Sequence, residues 1–98
     1  MNKLSDETLK KKYEDLHNNF IKGNFKKVIK GCNKVLEKRK NQLFFNLLCI
    51  AYQKIGKIEK SIDVMKEALT FNPNHPDFLN NLGLCFYMLH KFSEAEKY

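Results

Sequence analysis

Two stretches of this chain carry the same spacing of large and small side chains at an offset of 34 residues. Phe45 aligns with Leu79, Leu48 with Leu82, Cys49 with Gly83, Tyr52 with Phe86, Ile58 with Phe92 and Ser61 with Ala95. Large residues meet large ones and small residues meet small ones. Self-similarity at such a period marks a stack of like units, each of which buries its apolar face only against its neighbours.

The spacing inside each unit sets the secondary structure. Phe45, Leu48, Tyr52 and Ile55 fall three or four apart, which is one face of a helix. After Gly56-Lys57 the pattern resumes at Ile58, Ile62, Met65 and Leu69, and Phe71 closes it before Pro73. Gly56 suits the left-handed conformation that ends the first helix. Pro73 stops the second, because it lacks a backbone donor and clashes with the preceding turn. Pro76 belongs to the first turn of the next helix, where a missing donor costs nothing. The two prolines form a joint between units, and the short connections make neighbouring helices antiparallel.

Three units result: 1–41, 42–75 and 76–98. The first is degenerate. Ser5 is its expected N-cap, followed by Asp6 and Glu7 in the first turn, where acidic groups are favoured. Leu9, Tyr13, Leu16 and Phe20 form one stripe, Gly23 the turn, and Phe25, Val28, Cys32, Val35 and Leu36 the second. Gly23 and Gly56 are 33 residues apart rather than 34, and Lys40-Asn41 replaces the closing proline. In the third unit His90 stands where Gly56 stands in the second, and Tyr98 falls about midway through the expected second helix. This predicts that the chain is the N-terminal part of a longer protein. It also predicts a frayed last helix, exposed apolar surface around Phe86, Leu89 and Phe92, and self-association through the incomplete unit.

Composition narrows the chemistry. No apolar run approaches the roughly 20 residues of a bilayer span, and the opening MNKLSDETLKKK has no signal-peptide core, so a cytoplasmic location without membrane insertion is expected. Cys32, Cys49 and Cys85 are odd in number, widely spaced and set among apolar helical neighbours, which suits small buried hydrophobes rather than disulfides or a zinc site. His17, His75 and His90 stand far apart, with no helical metal-site spacing, and His75 and His90 are expected to face solvent. With no nucleophile–base arrangement and no phosphate loop, the chain is expected not to be an enzyme and to need no metal or cofactor.

The net charge of +7 lies entirely in residues 1–41, which hold 12 basic and 5 acidic residues, while 42–98 hold 6 of each. Seventeen of the 18 basic residues are lysine, which disfavours nucleic acid, since phosphate and base recognition draw on the forked guanidinium of arginine. An anion- or nucleic-acid-binding role for Lys10, Lys11, Lys12, Lys26, Lys27, Lys30 and Lys34 stands as an alternative, and it would show as a steep salt dependence.

The stretch FFNLLCIAYQKIGKIEKSIDVMKEALTFNP resembles the tetratricopeptide repeat (TPR) family through Phe45, Leu48-Cys49, Tyr52, Gly56, Ser61, Met65, Ala68 and Pro73. FLNNLGLCFYMLHKFSEAEKY does so through Leu79, Leu82-Gly83, Phe86, Phe92 and Ala95. The resemblance implies an all-α, right-handed α-solenoid of about three antiparallel helix-turn-helix units, the last incomplete. It also implies a scaffold that takes a protein or an extended peptide in a concave groove lined by the first helix of each pair. Carried onto this sequence, that groove exposes Leu43, Asn46, Leu47, Ile50, Gln53 and Lys54, then Asp77, Asn80, Asn81, Leu84, Tyr87 and Met88. Asn46, Asn80 and Asn81 would offer amides to a peptide backbone. They are equally polar filler in a chain with 11 asparagines. Loss of peptide binding in Asn81→Ala with stability unchanged would favour the binding role over the filler. Lys54 is the one groove cation of the second and third units, and Asp77 opposes the acidic tails that some family members hold. The repeats are also similar to those beside glycosyltransferase and sulfotransferase domains, which implies as a further alternative a substrate-presenting arm.

Overall fold

The computed structural model describes residues 5–97, with side chains as far as Lys91. The described residues form five helices: α1 (Asp6–Ile21), α2 (Phe25–Lys38), α3 (Gln42–Lys54), α4 (Ile58–Phe71) and α5 (Pro76–Lys97). Each helix packs on the next, and the assembly extends 53 × 31 × 18 Å.

Local chemistry fixes the boundaries. Ser5 caps α1 by accepting a hydrogen bond from the Thr8 amide at 3.1 Å. Asn41 caps α3, its Oδ1 accepting from the Leu43 amide at 2.8 Å. Gly23 and Gly56 adopt φ of 83° and 79°, the left-handed conformation that stops α1 and α3 and turns the chain back. Asn19, nine-tenths buried, braces the first turn: its Nδ2 donates to the Asp15 carbonyl and its Oδ1 accepts from Asn24 Nδ2. Where α2 ends, Arg39 pairs with Asp6 at 2.7 Å, tying that end to the start of α1.

The joint between α4 and α5 is more built than its sequence suggests. His75 precedes Pro76, and its carbonyl accepts the first bond of α5, from the Leu79 amide. Its ring is half-buried rather than solvent-facing, stacked on Phe78 with centroids 4.3 Å apart. Nδ1 accepts from the Asp77 amide, which places the ring proton on Nε2, 2.7 Å from Gln42 Oε1. His75 thereby ties the start of α5 to the start of α3. The expected solvent-facing histidine is instead a structural clamp.

The core runs through all five helices, from Leu9 and Leu16 through Val28, Cys32, Phe44 and Met65 to Phe78 and Cys85. Small side chains sit where helices come close. Ser61 is fully buried, and its Oγ donates to the Cys49 carbonyl at 2.8 Å, drawing α4 onto α3. All three cysteines are buried and free. Burial pushes the Cys32 thiol up to about 12. Cys49 is raised by burial first and then by Cys85, whose Sγ lies 3.9 Å away.

The turn expected at His90 does not form. α5 continues unbroken from Pro76 to Lys97. Gly23 and Gly56 turn the chain at positive φ, a conformation that costs a residue with a Cβ about 1–2 kcal/mol. His90 has that Cβ, and no glycine or proline follows before Lys97. In place of a third helix pair cut short, residues 76–97 form one long helix. The side chains of Phe92 and Ala95, on which the third-unit pattern partly rested, lie outside the described residues, as does Tyr98.

Candidate functional site

Which surface is concave follows from which helices touch. α3 packs against both α1 and α5, whereas α2 and α4 make no contact with each other among the described residues. Odd-numbered helices that close ranks while even-numbered ones splay bend the stack toward the odd side. α1, α3 and α5 therefore form its inner wall.

On that wall the expected groove residues separate into two groups. Leu43, Lys54, Asp77, Asn80, Leu84 and Tyr87 are exposed, and spacings of three and four keep those of each helix on one face. Tyr87 is 59% exposed, with Lys91 Nζ lying 5.6 Å from its ring centroid. Ile50 and Met88 are half-buried, and Met88 packs against the core.

The second group is already engaged. Leu47 is 5% exposed, because it shares a face with Phe44 and Ala51, both fully buried. It belongs to the core and not to the open groove. Asn46 and Asn81 are half-buried and satisfy each other, Asn81 Nδ2 donating to Asn46 Oδ1 at 2.9 Å across the α3–α5 contact. Gln53 Nε2 approaches Cys85 Sγ at 3.2 Å and Cys49 Sγ at 3.6 Å, a second polar tie between the same helices. These amides hold the groove wall together, so Asn81→Ala removes a structural bond as well as any ligand contact.

The first unit adds residues that the sequence did not assign. With the 33-residue spacing of Gly23 and Gly56, Lys10 corresponds to Leu43, Tyr13 to Asn46 and His17 to Ile50. A cavity of about 450 Å³ opens between α1 and α3 with Leu9, Lys10, Tyr13, Glu14 and Leu43 in its walls. Tyr13 stacks on His17 with centroids 5.8 Å apart and meets Phe44 edge-on at 5.7 Å. The turn glycines carried the signal for this extension, because their register rather than the 34-residue offset aligns the first unit with the second.

Among the described residues no three His, Cys, Asp or Glu side chains stand close enough to hold a metal ion. No described helix is long and apolar enough to cross a membrane.

Stacked antiparallel pairs, glycine turns and an inner wall of first helices agree with what the whole-chain comparison finds: the family model of the Psidin N-terminal TPR repeats region matches residues 10–98. The chain belongs to this TPR family. The match runs through the degenerate first unit as well as through α3, α4 and α5. No curated protein and no solved structure matches the chain.

Proposed function

We propose that this TPR region is a protein-interaction scaffold that takes an extended peptide along the wall formed by α1, α3 and α5. One observation carries this reading. Large side chains that could have been buried stand open on the inner wall: Leu43 at the cavity between α1 and α3, and Leu84 and Tyr87 on α5, with polar Lys54 and Asn80 on the same helix faces. Apolar pockets between placed amides and charges are what an extended peptide needs for side-chain and backbone recognition.

Charge narrows the ligand. Lys10, Lys54 and Lys91 lie on three different helices and share the wall with Glu14 and Asp77, so among the described residues the groove offers no dense cluster of cations for an acidic tail. Apolar and aromatic peptide side chains supply the affinity, and the charges fix register.

The test is selection of binders from a displayed random-peptide library, followed by titration of the best peptide. Tyr87→Ala and Leu84→Ala remove exposed groups and leave the fold intact. Each is expected to weaken binding at least about tenfold, the usual effect of truncating an aromatic or apolar anchor. Unchanged affinity in both variants would place the binding site elsewhere.

A further inference from the structure

A second surface lies on the opposite side of α1 from the groove. Lys27, Lys30, Lys34 and Lys38 recur three and four residues apart on α2, so they form one stripe about 16 Å long at the helical rise per residue. With Lys12 from α1 they surround a cavity of about 320 Å³ along the α1–α2 seam. All five lysines are exposed, and none of them has an ion pair among the described residues. Leu16 and Val35, both buried, and Gly31 make the floor. Gly31 keeps the seam narrow, since a Cβ there would meet Leu16 Cδ2 at 2.5 Å. Asp15 is the one acidic group in the lining among the described residues.

The seven basic residues picked out from the sequence do not act together. Lys12, Lys27, Lys30 and Lys34 converge here and Lys38 joins them, whereas Lys10 lines the cavity between α1 and α3. Excess charge alone is a solvated face. Excess charge around a recessed apolar floor is a complementary surface.

We propose that this seam docks an acidic amphipathic helix of a partner protein, laid along α2 with its apolar stripe over Leu16, Gly31 and Val35 and its carboxylates against the lysines. A helix of three turns matches the length of the stripe, and apolar residues at three- and four-residue spacing match the floor. Nucleic acid satisfies only the charges, because among the described residues no aromatic side chain lines the seam to stack a base and none of its cations is an arginine. An anionic bilayer is flat and meets the lysine tips without reaching the floor. The surface is independent of the peptide groove, because it uses Lys12 and Leu16 of α1 where the groove uses Leu9, Lys10 and Tyr13.

The probe is an 18-residue, lactam-locked helical peptide with a leucine stripe flanked by glutamates, titrated against the 98-residue chain at low and at physiological salt. Its controls are a peptide of the same composition in an order that has no helical apolar face, a single-stranded oligonucleotide and phosphatidylserine vesicles. The helix is expected to bind at least tenfold more tightly than each control. Lys30→Glu combined with Lys34→Glu, and separately Lys12→Glu, should each weaken it at least tenfold with the circular dichroism spectrum unchanged. Tyr87→Ala should not affect it. Equal binding of the scrambled peptide, the oligonucleotide or the vesicles would reduce the seam to a generic cationic patch and overturn the proposal. So would absence of binding, or indifference to both sets of charge reversals.

Discussion

α3 and α5 are written with the same pattern and end in opposite environments. On one face they agree: Phe44 and its counterpart Phe78 are 0% and 2% exposed, and Ala51 and Cys85 are both fully buried. On the other face they diverge. Phe45 is 2% exposed and Leu79 is 48% exposed, Cys49 is sealed and Gly83 open, and Leu48 is buried while Leu82 is half-exposed. The first face meets the preceding unit, which both helices have. The second face meets the helix that follows the glycine turn: α4 supplies it for α3, and the helix that continues through His90 supplies none for α5. An apolar repeat therefore specifies which faces want covering, and the turn residue decides which of them are covered within the described chain.

The largest break of that symmetry is expected from paired truncations. Phe45→Ala opens a cavity between α3 and α4 and should cost about 3–5 kcal/mol in urea unfolding. Leu79→Ala, at the same repeat position, should cost less than about 1 kcal/mol, because the side chain is already half in water. Similar losses at both sites would show that α5 is covered as α3 is.

A smaller contrast of opposite sign concerns the glycines. Gly56→Ala should destabilise by about 1–2 kcal/mol, since a Cβ is strained at φ of 79°. Gly83 lies inside α5 with open space around it among the described residues, so Gly83→Ala should stabilise by about 0.5–1 kcal/mol through helix propensity. Both are measured by thermal or urea unfolding, and a destabilising Gly83→Ala would mean that the open face has an occupant in solution.

Most of the fold was legible because its signals are local. Gly23, Gly56, Pro73 and Pro76 mark the ends of helices, and the three- and four-residue spacing marks their faces. The turn at His90 was misread because the 34-residue alignment carried Gly56 onto a residue that has the side chain a left-handed turn disfavours. The groove was legible as a face but not in its particulars. Periodicity places Asn46, Asn81 and Gln53 on the inner wall, yet whether an amide there is free depends on a neighbour some 35 residues away, such as Asn81 for Asn46 at 2.9 Å. Leu47 shows the same limit at the edge of the face, where one helical position separates exposure from burial. The lysine seam was hidden because its members come from two helices: periodicity puts Lys10 and Lys12 on opposite sides of α1, but only packing shows which of them meets the stripe of α2.

The central claim is that ligand binds the inner wall of α1, α3 and α5 and not the uncovered face of α5. Amide chemical-shift mapping with a selected peptide tests it most directly. The largest shifts are expected at Leu43, Ile50, Asn80, Leu84 and Tyr87, with Leu79, Gly83 and Phe86 little moved. Shifts concentrated at Leu79, Gly83 and Phe86, with the inner wall silent, would contradict it.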